Sequence, residues 1–186
     1  MQRKLLILDL DETLLYASEE PLSIKEDFTV EQYYVYLRPH VKRFLAFCLA
    51  KFEVAVWTTS TEGYAEGIVS CLFPAREAIS FLWARSRCTR KYDGEMREFY
   101  WLKDLKKVKR KGYDLEQVIV VDDTAQKHER NYGNLISVKE FTGDANDNEL
   151  LLLENYLEKI ADAPNIRRLE KRFWRTSVYK SSHLKS

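Results

Sequence analysis

Cysteine, proline and glycine are scarce in this 186-residue chain, with 3, 4 and 6 copies respectively. So few glycines and prolines exclude a collagen-like or low-complexity chain, and no repeat, linker or Ser/Gly-rich spacer is visible. The cysteines, Cys48, Cys71 and Cys88, are odd in number, widely spaced and without a C-x-x-C pair. This argues against a disulfide framework or a zinc site and fits a cytoplasmic setting, or a nuclear one in a eukaryote. Long apolar runs are missing. Stretches such as Leu150–Leu153 and Val118–Val121 fall far short of the roughly 20 residues that a membrane span needs, so no membrane partner is expected. The opening Met1-Gln2-Arg3-Lys4-Leu5-Leu6-Ile7-Leu8 meets Asp9 too soon for a secretory apolar segment and reads as a first strand. An excess of one charge is absent too. Thirty Lys and Arg against 29 Asp and Glu leave a net +1, which selects neither a nucleic-acid binder nor an acidic solvating chain.

What is present is a core-forming composition, 45% hydrophobic and 13% aromatic, at a length suited to one domain. Lys4–Leu8 and Gln117–Val121 are continuous apolar runs, as strands buried on both faces require, and each leads into aspartates. Phe52–Trp57, ending at Thr58-Thr59-Ser60, and Asn134–Val138 complete an expected four-strand parallel core. Helical patterns lie between them. Pro39–Lys51 places Val41, Phe44, Leu45 and Cys48 on one face, Glu62–Leu72 and Tyr100–Lys111 read similarly, and a last helix opens near Asn146 and carries Leu150, Leu151, Leu153, Tyr156, Leu157 and Ile160. Such alternation implies an α/β, doubly wound, Rossmann-like parallel sheet with its ligand beyond the carboxyl ends of the strands. Phe28–Arg38 reads as an extra strand or hairpin arm, and Ile79–Arg87 as another. One domain over residues 1–175 and a flexible basic tail over 176–186 are expected.

The chemistry gathers at the strand ends. Asp9-Leu10-Asp11-Glu12-Thr13 directly follows the first strand, and Asp122-Asp123 follows the Gln117–Val121 run. Carboxylates crowded together are costly unless a cation neutralises them. An all-oxygen set without His or Cys favours Mg²⁺ over zinc, which makes Asp9, Asp11, Asp122 and Asp123 the candidate metal residues.

Asp9-Leu10-Asp11-Glu12-Thr13-Leu14-Leu15 resembles the D-x-D-x-T signature of haloacid-dehalogenase (HAD) phosphatases. In its D-L-D-E-T-L form it is similar to the small C-terminal-domain phosphatases and their NLI-interacting-factor-like, FCP1-like relatives. Leu37-Arg38-Pro39-His40, Trp57-Thr58-Thr59-Ser60 with Tyr64-Ala65, Lys103-Asp104-Leu105 and Val120-Val121-Asp122-Asp123-Thr124 agree in order across roughly residues 4 to 160. The resemblance implies a HAD-like fold and a role for each residue. Asp9 would be the nucleophile that becomes an aspartyl-phosphate, and Asp11 the general acid and base, its backbone carbonyl also meeting the metal. Thr13 would steady Asp11 or its loop beside the phosphate, Thr58 would donate its hydroxyl to a phosphate oxygen, and Lys103 would neutralise the nucleophile and the transferring group. Asp122 and Asp123 would complete the metal shell, with the direct ligand of the two left open. Relatives hold the peptide around the phosphoserine at the insert Trp83–Trp101, which does not match closely here.

Neither gap between motifs holds the large cap that closes such sites over small metabolites. A small β insert and no large cap favour a phosphorylated macromolecule, foremost a phosphoprotein carrying phosphoserine or phosphothreonine. Two alternatives stand beside this: a polynucleotide-end or small-metabolite phosphatase of the same superfamily, and a non-catalytic binding module on the same fold. Oligomeric state is left open. His40 reads as part of a helix start, and His128 and His183 have no partner identifiable in the sequence. Finally, the near-zero charge divides into blocks of net −4 over residues 1–84, +7 over 85–111, −8 over 112–165 and +6 over 166–186. The first basic block is expected at the mouth of the site, where it would draw in phosphate. The second would fold back through Phe173 and Trp174 or bind an acidic partner.

Overall fold

The protein is described here by a computed structural model over residues 3–182. Along the chain the strands are β1 (Leu5–Leu8), β2 (Leu15–Ser18), β3 (Phe28–Val30), β4 (Tyr33–Leu37), β5 (Glu53–Trp57), β6 (Leu82–Trp83), β7 (Thr89–Asp93), β8 (Glu98–Leu102), β9 (Val118–Asp122) and β10 (Leu135–Ser137). The helices are α1 (Val41–Lys51), α2 (Glu62–Leu72), α3 (Lys106–Arg110), α4 (Glu149–Ile160) and α5 (Trp174–Ser182).

The four expected strands form a parallel sheet, and β6 joins them at one edge to give the order β10-β9-β1-β5-β6. Two residues are too short a run to show a period, so the sequence left β6 inside a vaguer segment. The continuous apolar runs split by alternation between two cores. Leu6, Leu8, Val54, Val56, Ile119 and Val121 face the larger core with α1, α2 and α4. Leu5, Ile7, Ala55, Trp57, Val118 and Val120 face the smaller one with Leu105 and Val108 around α3. Each fully buried aliphatic side chain contributes about 1.5–3 kcal/mol, so a polar residue at either parity would be selected against.

The α1 pattern holds residue by residue: Val41, Phe44, Leu45 and Cys48 are its buried face, entered from His40 at φ 68. The segment from Phe28 to Arg38 becomes β3 and β4, which pair with β2 as a three-stranded antiparallel sheet. Gly67 lets α2 approach it closely, since a Cβ there would lie 2.5 Å from Val30 Cγ1. This contact sets the β3–β4 turn beside the carboxyl edge of the main sheet.

One expectation needs correction. The helix expected over Tyr100–Lys111 exists only as Lys106–Arg110, because Glu98–Leu102 is β8 and pairs antiparallel with β7 from Asp93↔Glu98 to Thr89↔Leu102. Phe99, Tyr100 and Trp101 favour a pleated ribbon, where aromatic side chains meet cross-strand partners, over a helix of equal apolar spacing. Over the first part of the expected tail the structure describes α5, which runs to Ser182. Trp174 is buried, its indole N–H donates to the Ser137 carbonyl at 2.9 Å, and its ring packs 5.7 Å from that of Tyr156. Phe173, by contrast, is exposed. Residues 183–186 of the expected tail, with His183, lie outside the described residues.

Candidate active site

Strand register builds the site. Leu8 is level with Val121 on one side and Val56 on the other, so the next residue of each strand, Asp9, Asp122 and Trp57, emerges at the same edge. Since β5 and β9 flank β1, this is also where the chain order reverses direction across the sheet, the place where open α/β sheets bind ligands. The Asp9 N–H donates to the Val121 carbonyl at 3.0 Å, and Leu10 and Leu14, both fully buried, anchor the following turn. Glu12 takes a left-handed φ of 56, and its carbonyl accepts from the Phe141 N–H at 2.8 Å.

Asp9, Asp122 and Asp123 converge: ligand-capable oxygens, one from each, lie within 4.8 Å of one another. Lys103, 1% exposed, bridges Asp9 Oδ1 at 2.9 Å and Asp122 Oδ2 at 2.5 Å. Burial, and next the Asp122 charge, push the Asp9 carboxyl up to about 6, while Lys103 and Lys127 pull the other way. Burial also works against the Asp122 charge, yet Lys103, Lys127 and His128 outweigh it and hold that group well below the usual carboxylate range. Asp122 is saturated with donors. Its Oδ2 meets Lys103 and, at 2.9 Å, His128 Nε2, and its Oδ1 accepts from the Thr124 N–H at 2.9 Å.

Asp11 points elsewhere. Its Oδ1 accepts from the Tyr64 hydroxyl at 2.6 Å and its Oδ2 from Ser60 Oγ at 2.7 Å, with Thr58 Oγ1 a longer donor at 3.4 Å. Burial and the adjoining Asp11 charge raise the Tyr64 hydroxyl above its ordinary range, so it stays a donor. The Asp11 side chain is thus outside the three-carboxylate cluster. Thr58 is buried, and its hydroxyl also accepts from the Ser60 N–H at 3.1 Å. Thr13 steadies Asp123 instead of Asp11: its hydroxyl accepts from the Asp123 N–H at 3.2 Å and lies 3.4 Å from Asp123 Oδ1.

Sequence reasoning missed two residues here. Lys127 Nζ lies 2.8 Å from Asp9 Oδ2, 3.4 Å from Asp122 Oδ1 and 3.5 Å from Asp123 Oδ1. His128 is 1% exposed and carries the partner, Asp122, that the sequence did not reveal. Burial keeps its ring neutral, so Nε2–H donates, and Nδ1 has no hydrogen-bond partner among the described residues. The only available signal was position, four and five residues beyond Asp123 on the turn Ala125–His128.

The donor set fits a hard divalent cation. Three convergent carboxylates supply oxygen ligands only, and a cationic nitrogen already stands within 3.5 Å of all three. Beside them opens a cleft of about 370 Å³ whose walls include Asp9, Asp11, Tyr64, Arg85, Lys127 and Glu31. Its mouth is mixed in charge. From the basic block, Arg85 reaches the wall, whereas Arg90 stacks on Phe99 and Arg87 on Trp83, and Glu12 and Glu31 face the same space.

The fold and the sequence have known counterparts. The structure resembles that of Fcp1, "an essential RNA polymerase II CTD phosphatase", with a TM-score of 0.58 at 20% identity over 99% of this chain and 54% of that one. That likeness places the fold in the HAD-like α/β class. A "CTD small phosphatase-like protein 2" of Dictyostelium discoideum is 33% identical over 87% of this chain and 28% of its own length. A "Probable C-terminal domain small phosphatase" of the same organism is 31% identical over 88% of this chain and 53% of its own length. The chain therefore spans about half or less of these curated relatives. Residues 4–167 match the family described as "NLI interacting factor-like phosphatase". Because that match runs from β1 through α4 and takes in every residue of the carboxylate and lysine cluster, the chain belongs to the NLI interacting factor-like phosphatase family.

Proposed function

We propose that the chain is a Mg²⁺-dependent phosphomonoester hydrolase that works through an aspartyl-phosphate on Asp9, acting on phosphoserine or phosphothreonine in proteins. The observation that carries this reading is the buried Asp9 carboxylate at the end of β1, held 2.9 Å from Lys103, with Asp11 two residues on and separately oriented by hydroxyls. An Asp9 oxygen attacks phosphorus and the bond from phosphorus to the leaving oxygen breaks. Asp11 delivers its proton to that oxygen. In the second half, Asp11 takes a proton from a water whose oxygen attacks the same phosphorus. The bond to Asp9 breaks and inorganic phosphate leaves.

Lys103 keeps Asp9 ionised and offsets charge on the phosphoryl group, and Ser60, Tyr64 and Thr58 fix the Asp11 carboxyl. Thr58 and Thr13 border the phosphate position in this reading, Thr13 acting through Asp123. Asp9, Asp123 and the Asp11 carbonyl would hold Mg²⁺, with Asp122 orienting Lys103, and the bound ion would supply further neutralisation of the phosphoryl oxygens. The open cleft supports a macromolecular substrate, since the insertion that lines it is the small β2–β4 sheet, through Ala17 and Tyr33. Three unpaired cysteines support a reducing compartment, the cytoplasm. No helix of the described residues is long and apolar enough to cross a membrane.

With Mg²⁺ present, the protein should hydrolyse a phosphoserine peptide faster than a 3′-phosphorylated oligonucleotide, and Asp9→Asn should lose both activities. Preference for the oligonucleotide would move the reading to polynucleotide ends. Turnover of neither by wild type would leave a binding module.

A further inference from the structure

The cluster contains two lysines, and they are not equivalent. Lys103 is buried and pairs with Asp9 and Asp122. Lys127, 17% exposed, forms part of the cleft wall and reaches all three carboxylates. Their backbones are tied, since the Lys103 N–H donates to the Lys127 carbonyl at 2.8 Å, so the turn that delivers one ammonium is braced by the strand end that delivers the other. Burial opposes the Lys127 charge, but Asp9, Asp122 and Asp123 together outweigh it, and the group stays an ammonium at any ordinary pH.

One ammonium at 2.8 Å from Asp9 and 3.5 Å from Asp123 occupies the space between the two carboxylates assigned to the divalent cation, with Asp122 beside them at 3.4 Å. Mg²⁺ demands oxygens at about 2.0–2.1 Å in near-octahedral array. It cannot enter that space while Nζ lies 2.8 Å from Asp9 Oδ2. Of the two lysines, only Lys127 has somewhere to go, the adjoining cleft. Three carboxylates against two ammonium groups leave the metal-free cluster with one net negative charge.

We propose that Lys127 is the resident counter-cation of the metal site: its ammonium holds Asp9, Asp122 and Asp123 together when the divalent cation is absent, and is exchanged for that cation on binding. This rests on the metal-site reading given above. The exchange weakens metal affinity, because the ammonium must be displaced, and in return keeps the three carboxylates together in the metal-free chain. The displaced ammonium then faces the cleft, whose walls also carry Arg85.

Two measurements on the full chain decide it. In the first, wild type, Lys127→Met and Lys127→Arg are titrated with MgCl₂ alone by isothermal calorimetry. Lys127→Met should bind Mg²⁺ at least about tenfold more tightly than wild type, since one partner of a buried charge group has been removed, and Lys127→Arg should not. Equal or weaker binding by Lys127→Met overturns the proposal. In the second, wild-type lysines are labelled with an amine-reactive reagent in chelator or in saturating Mg²⁺ and read by mass spectrometry. Lys127 labelling should rise severalfold in Mg²⁺ while Lys103 stays protected in both. Unchanged Lys127 labelling overturns the proposal, and this arm stands alone if Lys127→Met does not fold without metal. Absence of any Mg²⁺ heat with wild type would sink the metal-site reading itself, whereas metal binding without exchange at Lys127 would sink this inference alone.

Discussion

Two buried charge clusters grip the Asp9–Thr13 loop, one from each end. At the far end, Arg38 is 1% exposed and donates to the Thr13 carbonyl at 2.9 Å, the Lys139 carbonyl at 2.8 Å and both Asp147 oxygens at 2.8 Å. Asp147 also accepts from the Glu149 N–H at the start of α4. One cation meets one anion in a forked geometry and the remaining donors go to carbonyls, so the cluster is neutral and saturated. At the near end, three carboxylates share two ammonium groups, and the protons and cations there have somewhere to move. The saturated cluster is scaffold and the unbalanced one is chemistry. The difference lies in how completely each charge is answered and in the cleft that the near cluster borders through Lys127.

The largest effect should come from Asp9→Asn. Turnover should fall by about 10⁴ or more, because the nucleophile is gone, while urea unfolding in chelator changes by less than about 1 kcal/mol. A large loss of stability would mean that the near cluster is scaffold too. Next is Arg38→Met, which strands Asp147 and two carbonyls in the interior. Its cost should be about 3–5 kcal/mol in urea unfolding, and a loss under about 1 kcal/mol would remove the contrast. A smaller, purely kinetic effect is expected from Tyr64→Phe. Deleting the hydroxyl that donates to Asp11 should lower kcat about tenfold with KM nearly constant, and a change confined to KM would place Tyr64 in substrate binding.

The smallest effect is in pH. Burial opposes the Asp147 charge, and Arg38 and the Glu149 N–H outweigh it, so the native carboxyl lies below its ordinary 3.8. A lowered native value means stabilisation that is fully present above pH 3.8 and is lost as pH falls through the native value. The stability difference between wild type and Asp147→Asn should therefore be flat from neutral pH down to about 5 and shrink below 4. A difference independent of pH in that window would mean that Arg38 is held by its carbonyl partners alone.

Much of this was legible because it is local. Leu5–Leu8 followed by Asp9, and Val118–Val121 followed by Asp122, announce a buried parallel strand and a charged strand end within a few residues. The helical face Val41, Phe44, Leu45 and Cys48 is likewise a property of spacing. Tyr100–Trp101 could be read in either period, and only pairing with Arg90 and Lys91 across the hairpin resolves it as strand. Ser60 and Tyr64 stood inside a recognised stretch, but their partner, Asp11, lies about fifty residues away along the chain. Lys127 and His128 sit in a turn that, taken alone, reads as a solvated basic patch. Trp174 looked as free to bind a partner as to fold back until β10 offered it the Ser137 carbonyl.

By itself, then, the sequence determined the near-neutral composition, the four strands of the parallel core, the family motifs and the presence of crowded carboxylates at strand ends. Hydrophobic periodicity and charge crowding act over neighbouring residues and need no fold to be read. The tertiary structure alone decided which cation answers which carboxylate: Lys103 wedged between Asp9 and Asp122, Lys127 spanning three acids from 118 residues beyond Asp9, and Arg38 closing the other end of the loop. A long flexible side chain can pair with any acid within its reach, and only the packing of strands, turns and cores fixes which acids those are.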